Sequence, residues 1–226
     1  MSNGNVVTGV DVSHHNGEID WAKLAGTGIS FAFIKATDGS HGRDSMFKVN
    51  WPKAKATGLL IAAYHFLRPT SSPEAQGANF LDTLIDQPGA GQLRPVIDVE
   101  WSTLPGKPHD QWLDISLSQR IDWISRYVRH IEQAIGKKPI FYTNISWWDP
   151  MTHSASSGTG GVAFGDCPLW LADYKHPASP PLPAAWVGAP KFIWQYSEKG
   201  QVAGVSGNCD LDRFNGSVAD LVAYAG

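Results

Sequence analysis

The chain has 226 residues, of which 42% are hydrophobic, and a formal net charge of −3 with a pI near 6.2. This size suits one α/β barrel, because such barrels commonly run to ~200–250 residues without subdivision. The charge argues against nucleic-acid binding, since no basic stripe is available to neutralise phosphates. No apolar run approaches the ~20 residues that a membrane-spanning helix needs, so no membrane partner is predicted.

Strand-like and helix-like segments alternate along the first part of the chain, which is typical of a parallel α/β architecture. The predicted strands there are Val6–Val12, Ser30–Ala36, Leu59–Phe66, Arg94–Glu100 and Pro139–Thr143. The predicted helices are Asp44–Ala56, Pro73–Leu84 and Leu117–Ile135. After these come short strands with no long helix between them, at Leu169–Tyr174, Phe192–Tyr196 and Cys209–Leu211. The sequence therefore predicts a modified TIM-like barrel of five βα units followed by three short strands.

The segment Leu117–Ile135 is the clearest predicted helix. Its branched apolar residues recur at steps of three and four, which places them in one stripe on one helix face. They are Ile121, Ile124, Val128, Ile131 and Ile135. Ser116 and Gln119 form a capping box at the start, and Gly136 is well suited to end the helix. Pro73 is likewise well suited to open the preceding helix.

The chain offers little for metal, nucleotide or redox chemistry. Cys167 and Cys209 are its only cysteines and lie in no C-x-x-C motif, so a disulfide between them stays open. His14 and His15 project oppositely on extended backbone, and no H-E-x-x-H motif accompanies them. Gly158–Gly161 lacks the lysine and the strand–helix setting of a phosphate loop. We therefore predict no metal and no cofactor.

The segment Arg94–Trp101 carries the strongest chemical signal. Side chains alternate along a strand, so Asp98 and Glu100 share one face while Ile97 and Val99 pack outward. Two residues at ~3.3 Å rise each put the acidic Cα atoms ~6.5 Å apart, the scale on which two acids flank a glycosidic bond. Like charges this close cannot both ionise easily, so one keeps its proton toward neutral pH. Such a pair also occurs on solvated rims, but the apolar row before it favours catalysis.

Two further polar side chains are predicted to point into the barrel. Asp11 alternates with Val10 and Val12, which favours an inward carboxylate over an acid that only caps the next loop. Tyr64 shares a face with Ala62, and its hydroxyl can reach either a sugar or Asp98. The alternative for this tyrosine is a buried hydroxyl that satisfies a backbone group.

Eight short stretches together carry a family resemblance. They are Gly9–Ser13, Ile34–Gly39, Ala63–Phe66, Val96–Glu100, Phe141–Thr143, Leu169–Tyr174, Ile193–Tyr196 and Asn208–Phe214. Taken in order, they resemble family 25 of the glycoside hydrolases, the Chalaropsis-type lysozymes. The resemblance implies a modified (β/α) barrel and hydrolysis of the β-1,4 bond between N-acetylmuramic acid and N-acetylglucosamine in bacterial peptidoglycan.

The resemblance also implies residue roles. Glu100 is expected to be the proton donor and Asp98 its partner, while Asp11 and Asp210 are the other acids of the cleft. This sequence departs from the family at two positions. Asp38 stands where the family usually has glutamate, and Asp212 stands where asparagine is common.

Two roles remain open for Asp98. It can attack the anomeric carbon directly, as in retaining enzymes whose carboxyl groups lie ~5–5.5 Å apart. Alternatively the 2-acetamido group of the substrate attacks, and Asp98 stabilises the resulting oxazolinium. An Asp-x-Glu on one strand resembles the substrate-assisted arrangement of chitinase-type barrels, which favours the second route.

Aromatic and basic side chains complete the predicted binding site. The candidate sugar platforms are Tyr142, Trp170 and Trp194, with plain core packing as the alternative for each. Lys35, near a strand end, is expected to pair with a cleft carboxylate beside the substrate.

The resemblance sets the expected partner and location. The chain is predicted to be a single catalytic domain, residues 1–226, without a separate cell-wall-binding domain, acting as a monomer on peptidoglycan glycan strands. Ser154–Gly165 is expected to be a mobile surface loop. The first residues lack the regions of a signal peptide, so we expect a removed leader or export by another route. The alternatives are a chitinase- or glucosaminidase-like hydrolase, or a catalytically silent sugar-binding protein.

Overall fold

A computed structural model describes residues 6–85, 93–152 and 164–226 of the chain. Within these residues the strands are β1 (Val6–Val12), β2 (Phe31–Asp38), β3 (Gly42–Arg43), β4 (Leu60–Phe66), β5 (Val96–Asp98), β6 (Ile140–Thr143), β7 (Leu169–Ala172), β8 (Ile193–Gly200) and β9 (Cys209–Asn215). The α-helices are α1 (Trp21–Ala25), α2 (Phe47–Ala56), α3 (Pro73–Ile85), α4 (Leu117–Ile135), α5 (Ile145–Thr152) and α6 (Val218–Ala225). The predicted loop Ser154–Gly165 lies outside the described residues up to position 163.

The strands close into a barrel. From β1 the hydrogen-bonded order is β9, β8, β7, β6, β5, β4 and β2, and β1 pairs with β2 to complete the ring. The ladders from β1 through β2 and β4 to β8 are parallel, whereas β9 is antiparallel to both β8 and β1. Each of the first five parallel strands is followed by a helix, and β7, β8 and β9 follow one another without one. This confirms the predicted barrel of five βα units and three further strands.

Two hydrophobic clusters lie on opposite faces of the barrel wall. The inner one is filled by alternate strand residues such as Phe33, Val96 and Trp170. The outer one joins the intervening strand residues, among them Ile97 and Val99, to the surrounding helices. Strand side chains alternate in direction, so each strand contributes to both clusters. The polar residues that continue the inner rows are thereby aimed into one end of the barrel.

Local signals fix α4 as the sequence predicts. The Ser116 hydroxyl accepts from the Gln119 amide at 3.3 Å, and the Gln119 side chain accepts from the Ser116 amide at 2.8 Å. Gly136 ends the helix in the left-handed conformation, with φ at 75°. Only a residue without a Cβ adopts that conformation at little cost, so the helix stops there.

The structure corrects several predicted boundaries. β5 covers only Val96–Asp98, so Glu100 lies two residues beyond the strand on which it was placed. Val99 still donates to the Tyr142 carbonyl at 3.0 Å, and beyond it the Ser102 amide donates to the Asp110 carboxylate at 3.0 Å instead of to a neighbouring strand. The helices α1, α5 and α6 and the short strand β3 were not predicted.

Cys167 and Cys209 are both free and buried, so the disulfide left open by the sequence is not formed. Cys167 precedes β7, whereas Cys209 begins the antiparallel β9, and the two thiols therefore lie toward opposite ends of the barrel. None of the helices in the three described ranges is long and apolar enough to cross a membrane.

Candidate active site

Four acidic residues meet at the end of the barrel where the parallel strands finish. Asp11 lies near the end of β1 and Asp98 ends β5. Glu100 follows Asp98 by two residues, and Asp210 enters from the antiparallel β9, where it pairs with Asp11. In α/β barrels this end carries the reacting groups, so the four acids lie where catalysis is expected.

These acids line a deep polar cavity of about 440 Å³. Its walls are formed by Asp11, Tyr64, Asp98, Glu100, Tyr142, Trp170, Tyr174, Gln195, Glu198 and Asp210. Seven of the nine predicted site residues are among them. We call this cavity the deep lobe.

A second cavity of about 450 Å³ adjoins the deep lobe and shares Glu100, Tyr142, Tyr174 and Glu198 with it. Trp101 and Tyr174 line this outer lobe, and each is more than two-fifths exposed. Aromatic rings exposed beside a polar cleft are suited to stacking on the faces of sugar rings. The two lobes thus form one cleft with Glu100 at their junction.

Glu100 is poised to hold a proton near neutral pH. Burial raises its pKa from 4.5 to about 7, and the negative charge of Asp210 acts in the same direction. The positive charges of Lys35 and Arg68 partly oppose this shift. A carboxylic acid with this pKa is protonated in much of the pH range in which an ordinary glutamate is ionised, which suits a general acid.

Asp98 is more deeply buried than Glu100. Burial, followed by the charge of Glu100, raises the pKa of Asp98 well above its ordinary value. Its Oδ1 atom is buried without a hydrogen-bond partner among the described residues. A buried oxygen left unpaired is costly, so a substrate group that bonds to it gains affinity.

Asp11, Asp210 and Asp212 form a cluster of carboxyl groups on the opposite wall. Burial and then the charges of Asp212 and Asp210 raise the pKa of Asp11 well above its ordinary value. Asp212 is fully buried, and its Oδ1 accepts from the Trp170 indole at 2.7 Å. Burial raises the pKa of Asp212 as well. The carboxyl groups of the cluster therefore ionise less readily than isolated aspartates, and a positive charge nearby favours their ionised form.

Lys35 and Arg68 bring positive charge to the rim on the other side. The Arg68 guanidinium donates to both carboxylate oxygens of Asp38, at 2.6 and 2.9 Å, and Lys35 Nζ lies 3.4 Å from the same carboxylate. Burial is the largest single effect and opposes ionisation of Asp38, but the hydrogen bonds and positive charges of Arg68 and Lys35 together outweigh it and lower the pKa. Lys35 therefore pairs with Asp38, beside the acids rather than on the wall of the deep lobe.

The predicted aromatic residues occupy different places. Tyr64 and Tyr142 line the deep lobe, while Trp170 is 1% exposed and forms its floor, packed on the Tyr142 ring at 4.4 Å. Trp194 points to the outside of β8, where the Arg213 guanidinium covers its ring at 3.8 Å. Its indole donates to the Asp173 carbonyl at 2.8 Å. Trp194 lines neither lobe, so the structure does not support it as a sugar platform.

Sequence reasoning missed several residues that line the cleft, among them Gln195, Tyr174, Trp101 and Glu198. Gln195, on the inner face of β8, lines the deep lobe, Tyr174 lines both lobes and Trp101 lines the outer one. The position of Gln195 does indicate an inward side chain, because it lies two residues after Ile193, near the carboxyl end of a predicted strand. That is the same pattern that identified Asp98 from Val96.

His14, which the sequence leaves without a function, pairs with a carboxylate. Its Nδ1 lies 2.7 Å from Asp44 Oδ2, and the rings of His14 and His15 lie 4.0 Å apart. Asp44 also accepts from the His14 amide at 3.0 Å. The histidine thus helps to hold the loop after β1 against the start of α2.

Comparison with known proteins identifies the family of the chain. The family model described as glycosyl hydrolases family 25 matches residues 10–205. Lysozyme M1 of Streptomyces globisporus is 34% identical, with 97% of this chain and 71% of the relative covered. The N,O-diacetylmuramidase of Chalaropsis sp. is 28% identical, with coverage of 97% and 99%.

Solved structures show the same fold. The bacterial lysozyme from Streptomyces coelicolor superposes with a TM-score of 0.82 at 32% identity, covering 100% of this chain and 98% of that one. A family GH25 lysozyme from Aspergillus fumigatus gives a TM-score of 0.78 at 31% identity, covering 98% and 100%. The chain therefore belongs to family 25 of the glycosyl hydrolases.

Proposed function

We propose that Glu100 is the general acid and Asp98 its catalytic partner in a lysozyme that hydrolyses peptidoglycan. The chain is a glycoside hydrolase of the lysozyme type, and its substrate lies outside the cytoplasm. The observation that carries the residue roles is the place of Glu100 at the junction of the two lobes, with a pKa of about 7. A bond held across that junction has a proton donor directly beside it.

The charge distribution of the cleft supports one orientation of the glycan. Cleavage begins as Glu100 donates its proton to the glycosidic oxygen while the C–O bond breaks and positive charge develops on the anomeric carbon. The deep lobe, with Asp11, Asp98 and Asp210, is suited to stabilise that charge. The leaving sugar then lies in the outer lobe, against Trp101 and Tyr174.

The unpaired Oδ1 of Asp98 supports the substrate-assisted route. In that route the acetamido oxygen of the substrate attacks its own anomeric carbon, and the acetamido N–H needs an acceptor as positive charge spreads onto it. Asp98 Oδ1 is such an acceptor, buried and free of protein donors. Water then forms a bond to the anomeric carbon as the bond from that carbon to the acetamido oxygen breaks, which restores the acetamide, and the water gives its proton to the Glu100 carboxylate and so regenerates the acid.

Analysis of the reducing ends tests which bond is cut. Peptidoglycan digested by the chain and then reduced with borohydride is expected to yield muramitol, because cleavage leaves N-acetylmuramic acid at the new reducing end. Glucosaminitol as the main product would replace the muramidase assignment with a glucosaminidase. Cleavage of chitin oligomers without action on peptidoglycan would indicate a chitinase. If no new reducing ends form on either substrate, the chain would be a sugar-binding protein without activity.

The pH dependence of the rate tests the role of Glu100. Because its pKa is raised to about 7, kcat/KM on a soluble glycan is expected to fall as the pH rises through about 7. Lys35→Met removes a positive charge that lowers this pKa, so its alkaline limb is expected at higher pH. Lys48→Met, on the exposed side of α2, is the control and keeps the wild-type profile. If the alkaline limb of kcat/KM stays at the same pH in Lys35→Met, that limb does not report the ionisation of Glu100.

A further inference from the structure

We propose that Gln195 is a positioning residue that turns the hydroxyl groups of Tyr142 and Tyr174 into pure acceptors for the sugar and donates a hydrogen bond that favours the ionised form of Asp11. The inference rests on the proposed function of the cleft. The buried amide of Gln195 then has two roles: it orients hydroxyl groups that recognise the substrate, and it influences the charge of the deep lobe.

The contacts of Gln195 connect two walls of the cleft. The side chain is buried, with 3% of the residue exposed. Its Nε2 donates to Asp11 Oδ2 at 2.6 Å. Its Oε1 accepts from the Tyr142 hydroxyl at 2.9 Å and also from the Tyr174 hydroxyl. Both ends of the amide are therefore engaged, and all three of its partners line the deep lobe.

The chemistry of the partners fixes which way the amide points. A carbonyl oxygen accepts from both phenols at once, whereas an NH₂ group in its place would meet them as a second donor, so the carbonyl end of Gln195 faces the tyrosines and the NH₂ end faces Asp11. A phenol has one hydrogen to donate. Tyr142 and Tyr174 both give that hydrogen to Gln195, which leaves only lone pairs for a ligand.

Tyr64 provides the contrast on the facing wall. Its hydroxyl makes no hydrogen bond with any described residue, so its hydrogen remains available for the carbonyl of a substrate. Tyr142 and Tyr174 instead accept from hydroxyl or amide hydrogens. The deep lobe thus presents one donor phenol and two acceptor phenols, a pattern that discriminates sugars by the placement of their N–H and O–H groups.

The amide also acts on the charge of Asp11. The titratable groups that face Asp11 are the carboxyls of Asp210 and Asp212, the tyrosine hydroxyls and the Cys209 thiol. The two aspartates raise the pKa of Asp11, whereas the hydrogen bond from Gln195 lowers it. Gln195 therefore favours the ionised carboxylate in a wall where its neighbours oppose ionisation.

Three variants separate the two effects, with kcat and KM measured against pH on soluble peptidoglycan strands. Gln195→Leu removes every hydrogen bond, and it is expected to raise KM about tenfold, as for the loss of ~1.4 kcal/mol of hydrogen bonding. It is also expected to move the acid limb of kcat/KM to higher pH. Gln195→Glu keeps an acceptor for both tyrosines but places a second carboxyl group against Asp11, and the pair then shares one proton, so the acid limb moves to higher pH while KM changes little. Tyr174→Phe raises KM and leaves the acid limb in place.

Gln133→Leu, on the exposed face of α4, is the matched control and should behave as the wild type. An acid limb that stays in place in both Gln195 variants overturns the link to Asp11. A KM for Gln195→Leu and Tyr174→Phe equal to that of the wild type overturns the link to recognition. If Gln195→Leu fails to fold by circular dichroism, Gln195→Glu and Tyr174→Phe decide each part. Failure of the proposed function is distinguishable from failure of this inference, because the wild-type chain would then release no reducing sugar from peptidoglycan.

Discussion

Glu100→Gln is expected to lower the rate of peptidoglycan hydrolysis by ~10²-fold or more while the barrel stays folded. The amide has nearly the same shape as the acid but has no proton to give to the glycosidic oxygen. The rate is measured as release of reducing sugar from purified cell walls. Glu132→Gln, near the end of α4 away from the cleft, is the control and should retain wild-type activity.

The stability of Glu100→Gln provides an independent check of the same assignment. The pKa of Glu100 is raised in the folded chain, so its contribution to the free energy of unfolding is present below pH 4.5 and lost as the pH rises through about 7. An amide carries no charge at any of these pH values. The variant is therefore expected to gain stability relative to the wild type as the pH is raised, as measured by its Tm. Near-normal activity, or a variant unfolded at all pH values, would sink the general-acid assignment.

Much of this cleft could be predicted because its main signals are local. Asp98 continues an inward row that begins with apolar Val96, and the alternation of a strand carries that information without knowledge of neighbours. The ends of α4 are likewise set by Ser116 and Gly136, whose side chains and backbone act within a few residues. The order of strands and helices then determines that their carboxyl ends meet.

The inner face of β8 shows where local information ends. Its sequence offers an aromatic face, with Trp194 and Tyr196, and a face with Ile193 and Gln195. Hydrophobicity favours burying the aromatic face in the barrel, yet Ile193 and Gln195 point inward. Arg213 of β9 covers the outward Trp194 instead. That partner becomes visible only when the antiparallel register of β8 and β9 is known.

The contacts of Gln195 could not be predicted either, although its place two residues after Ile193 does indicate the inner face. Its partners lie 184, 53 and 21 residues away along the chain, so nothing near it in the sequence indicates its contacts. The predicted boundary of β5 was also wrong, since the Ser102 amide bonds to Asp110, eight residues further along the chain, and not to a neighbouring strand. The direction of a side chain within one strand can be predicted from the sequence. Hydrogen bonds between distant strands can be predicted only when the closed barrel is known.

Asp98→Asn is expected to be nearly as harmful as Glu100→Gln, with a loss of ~10²-fold or more in kcat. The amide cannot stabilise a developing positive charge, and its NH₂ group would compete with the acetamido N–H for the position that Oδ1 holds. Asp122→Asn, exposed on α4, removes an aspartate of the surface and serves as the control with unchanged kcat.

The species that accumulates distinguishes the two routes open to Asp98. Direct attack forms a glycosyl ester on Asp98, which a slow fluorinated substrate would trap and mass spectrometry of the intact chain would detect. The substrate-assisted route forms no adduct, and a thiazoline mimic of the oxazolinium should inhibit the wild type. Because Asp98 Oδ1 is buried and unpaired, we expect inhibition without an adduct. An ester on Asp98 would show instead that this oxygen is the nucleophile, and the acetamido group would then have no part in the bond-making step.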